Sequence, residues 1–139
     1  MGTHEYSHDP RNDSILIYIN GKLIPRAEAK VSVFDSGFLL GDGVWEGIRL
    51  HNGHLVFLKE HLDRLYDGAK AIAIDMGKSP EELTQAIYRT TETNGMDSGV
   101  HIRLIVSRGL KNTPYQHPSA NVGGPTIVII PEYKTADET

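Results

Sequence analysis

Gly41-Asp42-Gly43-Val44-Trp45-Glu46-Gly47-Ile48-Arg49 is the stretch that decides how this chain reads. Glycines gather where a chain turns sharply or lets a ligand approach its backbone. From Val44 onward the residues alternate as in a strand. Val44, Glu46, Ile48 and Leu50 share one face, and Trp45, Gly47 and Arg49 share the other. An aromatic ring, a missing side chain and a cation along one face form a slot with a charged end. Such a slot suits a flat, anionic small molecule.

Outward from this strand, Asn52-Gly53 signals a hairpin turn, and Leu55-Val56-Phe57 returns. Leu58, Leu62, Leu65, Ala69 and Ile72 then recur at helical spacing. A second helix opens at Ser79-Pro80-Glu81-Glu82, with Ser79 as N-cap, Pro80 at the first helical position and Glu82 closing a capping box. Leu83, Ala86, Ile87 and Thr90 or Thr91 give its inner face, and Gly95 its stop. Val100, Ile102, Leu104 and Val106 alternate with His101, Arg103, Ile105 and Ser107, and Ile127 to Ile130 reads as a last buried strand. Towards the N-terminus, Val31-Ser32-Val33-Phe34 reads as a short strand. Ile15 to Ile19 and Leu23-Ile24 flank the hairpin signal Asn20-Gly21, and Pro25 ends that pair. The sum is an α+β fold, a mostly antiparallel sheet with two helices packed on it. Residues 1–13 are expected to be a flexible tail, 14–132 one domain, and 133–139 a linker.

Composition narrows the function classes. The 139 residues carry a net charge of −4 with no basic run, so no nucleic-acid partner is expected. No apolar run approaches the ~20 residues that span a bilayer, so no membrane partner is expected either. The polar N-terminus has no secretory pattern, and the cytoplasm is the expected compartment. With no cysteine and no metal-ligand spacing among the seven histidines, no metal site is expected.

Arg64 lies off the apolar stripe of its helix. It reads either as a solvated partner of Glu60 or as an anion clamp, because a planar guanidinium grips phosphate with two hydrogen bonds. His101 and Arg103 share the polar face of their strand, which reads either as a wet sheet face or as the wall of a carboxylate pocket. Trp45, Gly47 and Arg49 present the same choice. Glu46 falls among apolar neighbours and is expected to be satisfied by backbone donors or an arginine.

Four segments occur in order: Tyr18-Ile19-Asn20-Gly21-Lys22, Gly41 to Arg49, His61-Leu62-Asp63-Arg64-Leu65, and His101 to Gly109. Together they resemble the N-terminal small domain of class IV (fold type IV) pyridoxal-phosphate aminotransferases, over residues 14–132. That family holds branched-chain aminotransferases, D-amino acid aminotransferases, R-selective amine transaminases and aminodeoxychorismate lyase. The resemblance implies pyridoxal 5'-phosphate as cofactor, with Arg64 binding its phosphate. It implies that Trp45, Gly47, Arg49, His101 and Arg103 line the substrate pocket. The implied reaction moves an amino group between an amino acid, branched-chain-like, or an amine and a 2-oxo acid. A homodimer or larger assembly is implied, with the segment near Gly109 reaching the neighbouring subunit.

The chain departs from the pattern in places. Leu40 and His101 stand where branched-chain enzymes usually have tyrosine, and Thr113 and Tyr115 where D-amino acid enzymes carry arginine and histidine. The family keeps its Schiff-base lysine in a following C-terminal domain, and none of Lys22, Lys30, Lys59, Lys70, Lys78, Lys111 and Lys134 matches it. No catalytic residue is therefore expected within this chain, which reads as inactive without that domain. The alternatives are a lyase of the aminodeoxychorismate type and a non-catalytic binding or dimerisation module.

Overall fold

The computed structural model describes residues 8–135. Among them, six strands form one antiparallel sheet: β1 (Leu16–Ile19), β2 (Lys22–Pro25), β3 (Gly43–His51), β4 (His54–Leu55), β5 (Val100–Ser107) and β6 (Thr126–Tyr133). Their spatial order is β2-β1-β6-β5-β3-β4. A short helix α1 (Ser36–Leu40) precedes β3. Two longer helices, α2 (Leu58–Ala71) and α3 (Pro80–Thr93), separate β4 from β5.

The register divides the sheet into two unlike faces. Val44, Ile48 and Leu50 of β3 pair with Val106, Ile102 and Val100 of β5, and all but Val44 are fully or almost fully buried. Ile127 and Ile129 of β6 extend the same face. The α2 and α3 helices lie on it, bringing Leu62, Leu65, Ala69, Leu83, Ala86 and Ile87 into one core. Truncating a side chain such as Ile102 to alanine there removes contacts on all sides, a change that costs about 2–5 kcal/mol. The other face carries Trp45, Gly47 and Arg49 opposite Ile105, Arg103 and His101. Among the described residues no long helix covers it.

Local signals account for most boundaries. The Asn20-Gly21 and Asn52-Gly53 turns hold all four residues at positive φ, as the tight hairpins require. The Ser79 hydroxyl accepts from Glu82 N while the Glu82 carboxylate accepts from Ser79 N, so the capping box is complete.

Two expectations are corrected. Val31 to Phe34 form no strand and stay largely exposed. No neighbouring strand offers them a ladder, and the Asp35 carboxylate accepts from Gly37 N to start α1 instead. Of the two roles open to the glycines at 41 and 43, the sharp turn is seen at Gly41, and Gly43 allows two strands to approach closely. Gly41, at φ 65, closes α1 in the left-handed region, and a Cβ on Gly43 would lie 2.6 Å from Val106 O of β5. Within the segment read as a tail, residues 9–13 are structured. Residues Pro10–Ser14 form a helical turn, in which Asn12 is buried and exchanges hydrogen bonds of 2.7 and 3.0 Å with the backbone of Tyr133. Arg11 stacks on the Tyr133 ring at 3.8 Å. Residues 1–7 and 136–139 lie outside the described residues.

Arg108, just beyond β5, ties three elements together. Its guanidinium donates to Asp42 at 2.6 Å and to the carbonyls of Ile72 and Ala73 at the end of α2, at 2.6 and 3.0 Å. Arg108→Ala would strand a part-buried carboxylate and two helix-end acceptors. The expected loss is about 2–3 kcal/mol of unfolding free energy, read from urea denaturation at neutral pH.

Candidate functional site

The site is built around β3, which is the sheet edge from Gly43 to Ile48, because β4 pairs only with Leu50 and His51. Glu46 turns from this edge toward α2, and its side chain is 3% exposed. A carboxylate buried that deeply needs donors, and α2 supplies them. Arg64 Nε donates to Oε1 at 2.5 Å and Nη2 to Oε2 at 2.7 Å, while His61 Nδ1 donates to Oε2 at 2.9 Å. A carboxylate has only acceptors, so the His61 proton on Nδ1 points at it. The Arg64 hydrogen bonds hold the Glu46 carboxyl below its usual 4.5, burial opposes them, and His61 adds to the lowering.

Glu46 is thus satisfied by an arginine, one of the two expected solutions. Of the two readings open for Arg64, the pairing with Glu60 is not formed, since a two-pronged bond to the buried Glu46 carboxylate outweighs an exposed contact one helical turn away. Arg64 remains 74% exposed. Its guanidinium is therefore held in one orientation with Nη1 unengaged among the described residues. A fixed, solvent-facing guanidinium suits a phosphate ester, so this donor set fits the phosphate of pyridoxal phosphate.

Trp45, one residue from Glu46, points to the open face and is 60% exposed. The Arg103 guanidinium lies over its ring at 4.2 Å. His101 leans across the strand pair, and a Cβ built on Gly47 would come 2.8 Å from its Nε2. Burial, then the charges of Arg103, Lys134 and Arg49, disfavour the protonated imidazole and lower its pKa from the usual 6.5, with Glu132 opposing them. Arg49 shares this face but donates through Nη2 to Lys134 O at 2.7 Å, where the chain leaves β6. The same face continues into an apolar cavity of about 390 Å³, lined by Ile17, Ile19, Phe38, Ile105, Val128 and Ile130 among others. All six residues singled out in the sequence thus gather around β3. Arg64 stands on the helix side of the edge, and the other five stand on the open face.

A second polar cluster was not visible in the sequence. Lys111, 2% exposed, donates to Asn121 Oδ1 at 2.8 Å. Asn121 donates to Ser36 Oγ at 2.9 Å, and Ser36 Oγ to Gly109 O at 2.6 Å. This network pins the loop after β5 against α1. Ser36 lies 73 residues from Gly109 and 85 from Asn121 along the chain, and no local pattern joins them.

The sequence model of the family described as Amino-transferase class IV matches residues 43–138. The branched-chain-amino-acid aminotransferase-like protein 1 of Arabidopsis thaliana is 46% identical over 125 residues. That match covers 90% of this chain and 22% of the relative. Among solved structures, the T.th. branched-chain amino acid aminotransferase with pyridoxamine 5'-phosphate superposes with a TM-score of 0.75 at 30% identity. It covers 91% of this chain and 42% of that chain. The 4-amino-4-deoxychorismate lyase of Pseudomonas aeruginosa gives a TM-score of 0.63 at 27% identity, over 82% and 38% of the two chains. This chain therefore spans about a fifth to two fifths of the length of these proteins. The edge strand carrying Glu46, the helix carrying Arg64 and the open-face strand carrying His101 and Arg103 all fall within residues 43–138, and the chain belongs to the class IV aminotransferases.

Proposed function

We propose that this chain supplies the phosphate grip and the carboxylate-facing wall of a pyridoxal-phosphate-dependent aminotransferase. The reaction exchanges an amino group between an amino acid, branched-chain-like, or an amine and a 2-oxo acid. The pairing of exposed Arg64 with buried Glu46 carries this reading, since it fixes a cation where a phosphate can reach it. Pyridoxal phosphate, when bound, supplies an electron sink for the substrate carbon. Arg64 holds the phosphate, and Glu46 orients Arg64. Trp45 walls the slot, and Arg103, with His101 and Arg49, receives substrate carboxylate. The covalent anchor for the cofactor is proposed to lie in the part of the relatives' length that this chain does not span.

The test is a titration of the chain with pyridoxal phosphate, followed by fluorescence of Trp45, the single tryptophan. Saturable quenching is expected, and quenching that stays linear into the millimolar range would overturn the reading. Borohydride reduction and digestion are expected to leave every lysine short of stoichiometric labelling. One fully labelled lysine peptide would move the covalent anchor into this chain.

The assembly is proposed to be a homodimer. Val33, Phe34, Phe38, Leu40, Leu110 and Val122 are all exposed on α1, the segment before it and the pinned loop, an apolar surface that favours association. Light scattering is expected to give a mass above that of one chain at high concentration. A monodisperse monomer would count against it.

A further inference from the structure

Arg49 and Arg103 are half-buried on the open face, and neither has a carboxylate partner among the described residues. Arg49 donates to a backbone carbonyl and Arg103 covers Trp45. His101 stands directly opposite Arg49 and two residues from Arg103, and its ring occupies the space that any side chain at position 47 would need. From β6 the opposite residue is Glu132, which lies 3.7 Å from Arg26 on its other side. Lys134 follows beyond the strand end. Among the described residues, the imidazole is thus the one titratable group set between two arginines whose charges are not locally neutralised.

We propose that His101, seated on the bare backbone of Gly47, is a specificity-determining member of a carboxylate site whose fixed charges are Arg49 and Arg103, and that ligand binding there is coupled to its protonation. This rests on the reading that the open face receives substrate carboxylate. Without a ligand, burial and the neighbouring cations disfavour the protonated imidazole. A bound carboxylate offsets those cations and favours the imidazolium. By reciprocity, protonation of His101 tightens the carboxylate. A ligand with two carboxylates gains most, because it meets three positive groups rather than two. Gly47 matters because a larger residue would push the ring off the site.

The test uses succinate as probe and the Trp45 fluorescence of the whole chain as signal, at pH 7.5 and pH 5.5. Affinity is expected to rise at least about fivefold at the lower pH, the low end of coupling between linked sites. The His101 titration midpoint, followed by imidazole NMR, is expected to move upward when succinate saturates. His101→Gln is expected to bind with no such pH dependence, and Gly47→Ala to reduce it. The same pH dependence in His101→Gln, an unmoved His101 midpoint, or no saturable succinate binding at either pH would overturn the proposal. Pyridoxal phosphate titrated into the same samples separates the two readings. If its binding persists while the succinate coupling is missing, only this inference falls. If both are missing, the proposed function falls with it.

Discussion

Gly109→Ala is expected to cost more than about 3 kcal/mol of stability, a large share of the 5–15 kcal/mol typical of a folded domain. Two effects add. Gly109 sits at φ 104, where an L side chain is strained, at about 1–3 kcal/mol. A Cβ there would also fall on Gly124 O across the loop. The Gly109 side cannot yield easily. Gly109 O accepts from Ser36 N at 2.8 Å and from Ser36 Oγ at 2.6 Å, so moving it would dismantle the network that holds the loop on α1. Gly123→Ala is the matched control. It too has positive φ, 78, but no atom lies within 4 Å of its Cβ position. Its expected cost is the backbone strain alone, about 1–2 kcal/mol. Thermal or urea unfolding of both variants gives the comparison, and equal losses would show that the close approach to Gly124 contributes nothing.

Glu46→Gln is expected to destabilise the chain by about 1–3 kcal/mol at pH 7. That is below the usual cost of breaking a buried pair, because the arginine partner is largely exposed. The amide keeps the shape but loses the charge, and its NH2 faces the Arg64 and His61 donors. The effect depends on pH in a defined direction. The Glu46 carboxyl is depressed below 4.5 in the folded chain, chiefly by Arg64. Its stabilisation is therefore complete above the unfolded value and is lost as pH falls through the depressed folded one. Wild type and Glu46→Gln should converge in urea midpoint toward pH 3 and keep their full separation above pH 5. A gap that stays constant with pH would show that the charge of Glu46 is not what Arg64 and His61 stabilise. The same variant releases Arg64 from its fixed orientation, so its affinity for pyridoxal phosphate is expected to fall as well.

Where local chemistry is decisive, the sequence is legible. The Asn-Gly turns, the Ser79 capping box and the alternation of β3 and β5 follow from backbone and side-chain periodicity alone, and the helices and strands stand where those signals put them. Val31 to Phe34 show the limit. A β-branched apolar run has no strand to join if no neighbour comes alongside, and which neighbours come is decided by the whole topology. The candidate site divides in the same way. Membership of one sheet face is fixed by parity, so Trp45, Gly47 and Arg49 could be grouped from spacing. The partner of Arg64 could not, because Glu46 meets it only when α2 packs against β3, and Glu60 is merely nearer in sequence. Gly47 carried a second hidden meaning. Its missing side chain reads as room for a ligand, whereas the ring of His101 fills it. Lys111 and Asn121 gave no signal at all, since a buried lysine held by neutral acceptors looks like any loop lysine until the loop is closed.

Arg64, held by Glu46, is proposed to grip a cofactor phosphate. The most direct measurement compares the affinity of the chain for pyridoxal phosphate and for pyridoxal, which lacks the phosphate, in wild type and in Arg64→Gln. Wild type is expected to prefer pyridoxal phosphate by at least about tenfold, the worth of one charge-assisted hydrogen bond, and Arg64→Gln to bind the two compounds alike. Equal affinity for both in wild type, or a preference that survives in Arg64→Gln, would contradict it.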